Sequence, residues 1–312
     1  MGLATREAYG EALKELGKKY QDIVVLDADL SKSTKTAVFA KAFPERFFNV
    51  GIAEQNLMGV GAGLAAGGKI PFVSTFAMFA AGRAFEQVRN SICYPNLNVK
   101  IAATHAGLTV GEDGASHQAI EDISLMRSIP NMTVIVPADA EETRQAVTYA
   151  AEYKGPVYIR LGRMAVPDLF TADYKFELGK AVQLIDGTDL TIMATGIMVA
   201  SAKEAAEELL SIGISARVLN FHTIKPIDIQ AIIKAATDTG SIVTCEEHSI
   251  IGGLGSAVAE VLVENMPVPM ERIGVMDTFG ESGTPGTLLV KYHLTTDDIV
   301  AAAKKVISRK KN

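Results

Sequence analysis

Short β-rich runs alternate with helical patterns along almost the whole chain of 312 residues. Residues 22–28 are typical of these runs, and residues 5–20 place Tyr9, Leu13 and Leu16 on one face of a helix. Because such alternation is typical of parallel βαβ units, we expect an α/β fold with helices on both faces of each sheet.

The alternation is interrupted once, across residues 164–188, where no long periodic pattern is present. We therefore predict two domains, each with a mostly parallel sheet flanked by helices, because domains hold roughly 100–200 residues. The predicted boundaries give a first domain at residues 1–168, a linker at 169–188 that leads into a hairpin or edge strand, and a second domain at 189–312.

The composition excludes several classes of protein. Apolar residues make up 48% of the chain and charged residues 21%, which excludes a disordered chain, and no apolar run reaches the roughly 18 residues of a membrane helix. The net charge of −6 argues against a nucleic-acid-binding domain. Cys93 and Cys245 are too far apart for a disulfide framework, and the N-terminus has no signal-peptide pattern, so we expect a cytoplasmic protein.

The first candidate site residue is Glu54, in the segment NVGIAEQN at residues 49–56. An acid in the first turn of a helix can simply stabilise the positive end of the helix dipole. However, residues 57–66 are almost wholly apolar and small, so we expect this helix to be buried and its glycines to allow close packing. A carboxylate at the edge of a core is partly desolvated, which would make it a useful proton acceptor or donor.

Two further segments follow predicted strands. Phe76 and Phe79 stand three residues apart in a chain with only 6% aromatic residues, and they either pack in a core or form a wall for a planar ligand. The loop at residues 105–118 contains two histidines, two acids and several glycines, which would let the backbone approach a ligand. A metal site and a polar loop without a ligand are alternatives, but the titratable groups favour a substrate site.

Two glycine-rich segments suggest a nucleotide-binding alternative. Residues 61–66 match the pattern G-x-G-x-x-A, but they lie inside a predicted helix rather than in the turn after a strand. Residues 252–256 (GGLGS) follow a predicted strand and begin a helix, although no acidic partner for a ribose is well placed after them. A nucleotide-binding regulatory protein is therefore the non-enzymatic alternative.

Three segments, in this order and spacing, resemble the transketolase family. Residues 49–56 are similar to the segment that carries the family's cofactor-activating glutamate, and TFAMF at 75–79 resembles its aromatic wall against the aminopyrimidine ring of thiamine diphosphate. GEDGASHQ at 111–118 resembles the family loop GEDG-x-[ST]-HQ. The resemblance covers essentially the whole chain and implies a pyrimidine-binding (Pyr) domain followed by a transketolase C-terminal domain.

The resemblance also implies roles for single residues. Glu54 would act on N1′ of the aminopyrimidine and favour loss of the thiazolium C2 proton. Phe76 and Phe79 would stack against the ring, although a further aromatic that the family often has near Gly82 is lost here. The remaining matches are Asp29 near the cofactor, Arg6, Ser33, His105 and Arg163 for the sugar phosphate, and Asp113 and His117 for sugar hydroxyls, with His117 also a candidate catalytic residue. The second domain carries no such motif, and we expect it to serve assembly.

The family's motif for the Mg²⁺-bound diphosphate, GDG…N, does not occur in this sequence. The resemblance therefore implies the C-terminal subunit of a split transketolase, a transferase that moves a two-carbon ketol unit from a ketose phosphate to an aldose phosphate in the pentose phosphate pathway of carbohydrate metabolism. An N-terminal subunit would supply the Mg²⁺ ligands, and the two chains would form a heterotetramer that self-associates across a two-fold axis. Subunits similar to deoxyxylulose-phosphate synthase or to the β chain of 2-oxo acid dehydrogenases are the enzymatic alternatives.

Overall fold

The structure is a computed structural model that describes residues 2–310. The strands of that part of the chain are β1 (Ile23–Asp27), β2 (Phe47–Asn49), β3 (Ile70–Phe76), β4 (Lys100–Thr104), β5 (Thr133–Ile135), β6 (Val157–Arg160), β7 (Val182–Ile185), β8 (Leu190–Ala194), β9 (Ala216–Asn220), β10 (Thr223–Lys225), β11 (Ile242–Ser249) and β12 (Met270–Val275). Its α-helices are α1 (Thr5–Lys19), α2 (Ser31–Thr34), α3 (Ala37–Ala42), α4 (Glu54–Ala66), α5 (Phe85–Gln87), α6 (Asp122–Ser128), α7 (Ala140–Glu152), α8 (Met198–Ser211), α9 (Ile229–Thr239), α10 (Leu254–Asn265), α11 (Pro285–Lys291) and α12 (Thr296–Ser308).

The strands form two sheets, and both are mostly parallel, as the alternation predicts. The first sheet has the order β10-β5-β6-β4-β3-β1-β2, in which only β10 is antiparallel to its neighbour. The second has the order β12-β11-β8-β9-β7, in which only β7 is antiparallel. The edge strand β10 connects the halves of the chain, because it comes from the second half but joins the first sheet. The edge strand β7 lies within residues 169–188 and joins the second sheet.

Helices cover both faces of the first sheet, which explains why its inner strands are buried throughout. Along β1, Ile23 and Val25 pack in a core with residues of α1 and α7, whereas Val24 and Leu26 pack in another core with residues of α4. A strand covered on both faces shows a continuous apolar run rather than an alternating pattern. This packing holds the carboxyl ends of the parallel strands at one rigid edge.

Some helices start at capping residues that the sequence indicates. Asp139, followed by two acids, predicts an N-cap, and in α7 its Oδ1 accepts a hydrogen bond from the backbone N–H of Glu142 at 2.8 Å. Thr295 and Asp298 form a capping box at α12. Pro226 predicts a helix that starts directly after it, at residue 227, but Asp228 caps α9, which starts at Ile229.

Two predicted helices differ from expectation. The sequence pattern of residues 79–92 predicts one helix, but the structure has two π-helical turns, Phe79–Arg83 and Val88–Cys93, separated by the short α5. Helix α4 is buried on one side only: Gly61 packs closely against Val73, whereas a Cβ atom on Gly59 or Gly63 would have no atom within 4 Å. The small residues of α4 therefore allow close packing on one face and leave the other face open.

Two findings concern the chain as a whole. Across residues 2–310, no helix is long and apolar enough to cross a membrane. Cys93 and Cys245 are both buried free thiols, as their separation in the sequence predicts.

Candidate active site

The carboxyl ends of β1, β2, β3, β4 and β6 meet at one edge of the first sheet, because these strands are parallel. The chain leaves β1 toward β2, whereas β3 lies on the other side of β1, so the connections diverge between β1 and β3. Such a divergence opens a crevice where α/β sheets bind ligands. The predicted site residues lie at the ends of these strands or in the segments that follow them, except Arg6 in α1.

Glu54 is the first residue of α4, and only 2% of its side chain is exposed. Its Oε2 accepts a hydrogen bond from Nη1 of Arg83 at 2.8 Å. Within residues 2–310, no protein donor lies within hydrogen-bonding distance of Oε1. The carboxylate therefore has one oxygen fixed by a guanidinium and a second that can bond to a ligand, which suits a group that must act on a proton. Sequence reasoning missed Arg83.

Four rings form a continuous wall at this edge. Phe76 ends β3 and Phe79 begins the π-helical turn, and their ring centroids are 6.0 Å apart with the planes within 14°. The ring of His105 stacks on Phe76 with centroids 3.9 Å apart, and His117 presents an edge-on contact to Phe79 at 5.3 Å. The structure thus joins the two phenylalanines predicted for the cofactor to the two histidines predicted for the substrate.

His105 is a neutral imidazole whose tautomer follows from its neighbours. Nη1 of Arg6 lies 3.1 Å from its Nε2. Because a guanidinium only donates, Nε2 accepts and Nδ1 carries the proton, which it donates to Oγ1 of Thr104 at 2.9 Å. Burial, with the nearby charges of Arg6 and Arg163, lowers the pKa of His105 to about 3. The ring therefore stays uncharged at neutral pH.

Two arginines give this part of the site a positive charge. Nη1 of Arg6 also donates to the backbone oxygen of Ser33 at 3.0 Å, so that Ser33 contacts Arg6 through its carbonyl. Arg163 donates to the carbonyl oxygen of Val110 and to Oε2 of Glu112. Burial lowers the pKa of Arg6, and its Nε is a buried donor without a partner among the described residues. Both guanidinium groups are held in place near His105, an arrangement that suits an anionic ligand group.

Asp29 is exposed in the turn after β1, where its φ of 65° is in the left-handed region. Its Oδ1 accepts a hydrogen bond from Nδ2 of Asn49 at 2.9 Å, and Oδ1 of Asn49 accepts from the backbone N–H groups of Asp29 and Gly51. Asn49 therefore joins the turn after β1 to the turn before α4. Sequence reasoning missed this role, although Asn49 is the first residue of the motif that contains Glu54.

The glycines of the 105–118 loop face the second domain, not an open ligand site. A Cβ atom on Gly107 would lie 2.3–2.4 Å from the carboxyl atoms of Glu247, whose Oε1 accepts from the backbone N–H of Thr109 at 2.6 Å. Gly114 also lies beside the second domain, but a Cβ atom there would be in ordinary contact with Ser282, at 3.4–3.6 Å. At Gly107 the expected approach to a ligand is wrong, because the second domain fills the space that a Cβ atom would need. That domain supports the loop, a role that its lack of motifs did not reveal.

Asp113 lies apart from the hydrogen-bonded groups of the site. It is exposed at the end of a 3₁₀ segment, Leu108–Asp113, and its side chain has no hydrogen bond to the rest of residues 2–310. The sequence match alone supports its prediction as a contact to sugar hydroxyls.

The second glycine-rich segment is filled by a protein carboxylate. Oε2 and Oε1 of Glu246 accept from the backbone N–H groups of Leu254 and Gly255 at 2.7 and 2.8 Å, at the start of α10. A Cβ atom on Gly253 would lie 1.9 Å from Oε2 of Glu246. Since this carboxylate occupies the anion-binding position that a nucleotide phosphate would use, the structure gives the nucleotide-binding alternative no site here.

Comparison with known proteins identifies the family. The family model "Transketolase, pyrimidine binding domain" matches residues 1–168, and "Transketolase, C-terminal domain" matches residues 179–299. The chain belongs to the transketolase family.

Across the residues that the structure describes, no group of three or more His, Cys, Asp or Glu side chains is arranged to hold a metal ion.

Several relatives are separate chains of matching length. The chain is 55% identical over 309 residues to a "Putative transketolase C-terminal section" of Methanocaldococcus jannaschii, covering 98% of this chain and 96% of the relative. It is 48% identical over 305 residues to the "6-deoxy-6-sulfo-D-fructose transketolase subunit SqwH" of Clostridium sp., covering 98% and 95%. A solved structure, "Split gene transketolase, inactive beta4 tetramer", is 64% identical with a TM-score of 0.94 and covers 99% of this chain and 100% of that chain. The predicted similarity to the C-terminal subunit of a split transketolase is confirmed.

Proposed function

We propose that this chain is the C-terminal subunit of a transketolase that uses thiamine diphosphate to move a two-carbon ketol unit between sugar phosphates, and that it is active only with an N-terminal subunit. One observation carries the proposal. A buried carboxylate with a free oxygen, an aromatic wall and two anchored arginines all lie at the carboxyl edge of one parallel sheet. Cytoplasmic location and the pentose phosphate pathway remain predictions.

The residues present fit the aminopyrimidine end of the cofactor. Oε1 of Glu54 is available to hydrogen-bond a ring nitrogen, and the near-parallel rings of Phe76 and Phe79 are a suitable surface for a flat heterocycle. When bound, thiamine diphosphate supplies a carbon nucleophile that takes up the two-carbon unit. Glu54 would hold the ring-nitrogen proton, and Asp29 would lie near the cofactor, as the sequence match implies.

The charged groups beside His105 fit the phosphate of a sugar. Arg6 and Arg163 present guanidinium donors, which bind phosphate oxygens well, and the neutral Nε2 of His105 keeps one of them oriented. Ser33 would contribute from the turn that Arg6 holds. His117, in edge-on contact with Phe79, and Asp113 on the same loop would contact sugar hydroxyls, as the sequence match implies.

The diphosphate and its Mg²⁺ would be held mainly by the partner subunit. Mg²⁺ is usually bound by one or two carboxylates together with substrate phosphate oxygens, and the family's GDG…N motif for this purpose is absent from the sequence. The relatives named as a C-terminal section or a subunit support a two-chain enzyme. The similar structure named an inactive β4 tetramer supports self-association without the partner, and we propose a heterotetramer of two chains of each kind for the active form.

The test is reconstitution with an N-terminal transketolase subunit. We expect this chain alone to bind thiamine diphosphate weakly and to show no turnover, and the mixture to transfer ketol units. Full turnover and tight cofactor binding by this chain alone would refute the two-chain proposal.

Glu54→Gln in the reconstituted enzyme should lower the turnover rate by about 10²–10⁴-fold, because a general acid–base group is lost. Glu141→Gln is the matched control, since Glu141 is also an acid in a first helical turn but belongs to α7 and pairs with Arg144. If Glu54 only stabilises its helix, both variants should lose stability slightly and keep their rates. A rate assay beside a thermal melt distinguishes these outcomes.

A further inference from the structure

Arg83 connects two parts of the site that the sequence treats separately. Its Nη1 donates to Oε2 of Glu54 at 2.8 Å, and its guanidinium carbon lies 4.6 Å from the ring centroid of Phe79. No other residue of the described chain contacts both groups in this way. The arginine is half-exposed, whereas Glu54 is almost fully buried.

This contact differs from an ordinary surface ion pair. Pairs between two exposed side chains contribute little, because water screens them and both side chains lose freedom. Here the carboxylate is buried, and Arg83 is its one hydrogen-bond donor within residues 2–310, so the orientation of the carboxylate depends on a single partner.

We propose that Arg83 is a positioning residue that fixes the Glu54 carboxylate relative to the Phe79 ring. The guanidinium lies over the ring while its Nη1 donates to Oε2, which leaves Oε1 for the ligand. Arginine suits this task because its planar group can stack on an aromatic ring and hydrogen-bond at its edge at the same time, whereas the ammonium of lysine cannot. The proposal rests on the proposed role of Glu54 toward thiamine diphosphate.

The local backbone explains why Arg83 lies beside Phe79. The segment Phe79–Arg83 is a π-helical turn, and side chains four positions apart on a helical turn are neighbours. Gly82 adds no side chain there, and a Cβ atom at that position would lie 2.6 Å from the Cε atom of Met78. The guanidinium of Arg83 thus provides a flat group beside Phe79 in the segment where the family often has a further aromatic.

The experiment compares Arg83→Met, Arg83→Lys and Arg89→Met in the reconstituted enzyme. Arg89→Met is the matched control, because Arg89 lies in the same irregular segment, is exposed and donates to its neighbour Asn90. The readouts are the dissociation constant of thiamine diphosphate by calorimetry, kcat and sugar KM, and the thermal melt.

We expect Arg83→Met to weaken cofactor binding about tenfold or more and to lower kcat about 10–100-fold, by analogy with the loss found when a group that orients a metal ligand is removed. Sugar KM should change little. Arg83→Lys should recover part of the loss through its charge, and Arg89→Met should match the unsubstituted enzyme. If Arg83→Met binds cofactor and turns over like Arg89→Met, the inference is overturned.

A double variant separates this inference from the proposed function. If Arg83 acts through Glu54, the variant with both Glu54→Gln and Arg83→Met should be no slower than Glu54→Gln alone. If the rate losses of the two single variants multiply in the double variant, Arg83 acts independently of Glu54. If Glu54→Gln by itself keeps its rate, the proposed role of Glu54 fails, and it fails whatever Arg83→Met does.

Discussion

The contact between the 105–118 loop and the second domain can be tested by Gly107→Ala, which adds one methyl group to the loop. Gly107 has a φ of 82°, in the left-handed region that disfavours alanine, and an added Cβ atom would lie 2.3–2.4 Å from the carboxyl atoms of Glu247. This separation is far shorter than any normal contact, and Glu247 is buried, so its carboxyl group cannot simply turn into water. The substitution should therefore displace the Glu247 carboxylate of the second domain from the loop.

Two costs determine the expected magnitude. With a ψ of −172° beside its φ of 82°, Gly107 adopts a conformation essentially confined to glycine, and a non-glycine residue held there costs about 1–3 kcal/mol. Displacing the Glu247 carboxylate breaks its 2.6 Å hydrogen bond with the buried backbone N–H of Thr109, and an unpaired buried donor costs about 1–3 kcal/mol. We therefore expect the free energy of unfolding to fall by about 2–6 kcal/mol.

The assay is urea unfolding followed by circular dichroism, with Gly59→Ala as the control. Gly59 lies inside α4 with open space around it, so alanine there should stabilise the chain by about 0.5–1 kcal/mol. Combining Gly107→Ala with Glu247→Ala removes the clash, so the double variant should lose less stability than the two single losses added together. Strictly additive losses, or an unchanged midpoint for Gly107→Ala, would refute the proposed contact.

Two further predictions concern the histidines of the site. His117→Ala in the reconstituted enzyme should lower kcat/KM toward sugars about 10–100-fold, because a substrate hydroxyl loses its hydrogen-bond partner. Cofactor affinity, measured by calorimetry, should stay constant. A parallel loss of kcat/KM and cofactor affinity would show that His117 has a structural role instead. In the unfolded chain the imidazole of His105 takes up a proton below about pH 6.5, whereas in the folded protein its pKa is about 3 and it stays neutral. The free energy of unfolding therefore falls as the pH decreases below about 6.5. Urea unfolding should show a loss between pH 7 and pH 5 that is about 2 kcal/mol smaller in His105→Gln, and equal losses in both proteins would contradict the lowered pKa.

The fold was predictable because its signals are local. Buried β-rich runs and helical periodicity give β8 at residues 190–194 and α4 at residues 54–66 with the bounds that the structure has. The strand β10 was not predicted, because it has only three residues and depends on pairing with β5, about 90 positions earlier in the chain. No periodicity in the sequence indicates a pairing of this kind.

Residues of the candidate site that lie in sequence motifs could be predicted, whereas residues that only tertiary contacts bring to the site could not. The segments with Glu54, Phe76, Phe79 and His105 do lie at one edge of the sheet, since each follows or ends a parallel strand. The support from Glu247 was missed, because it lies in a strand of the second domain with no motif of its own. Its sign in the sequence is that two adjacent acids, Glu246 and Glu247, lie inside the strand β11, whose residues are buried except at its end. A buried acid requires a hydrogen-bond partner, but the sequence does not identify that partner.

Arg83 shows where the limit of sequence reasoning lies. Its contact with Phe79 spans four positions, a separation that favours side-chain contact on any helical turn, so the sequence did contain a signal for it. Its bond to Glu54 spans 29 positions and depends on the π-helical turn after β3 facing the start of α4. The family pattern directs attention to the missing aromatic near Gly82, whereas the structure shows that the next residue supplies a flat cation in the same segment. The sequence thus contains both Arg83 and Phe79, but only the fold identifies the carboxylate of Glu54 as the group that Arg83 holds.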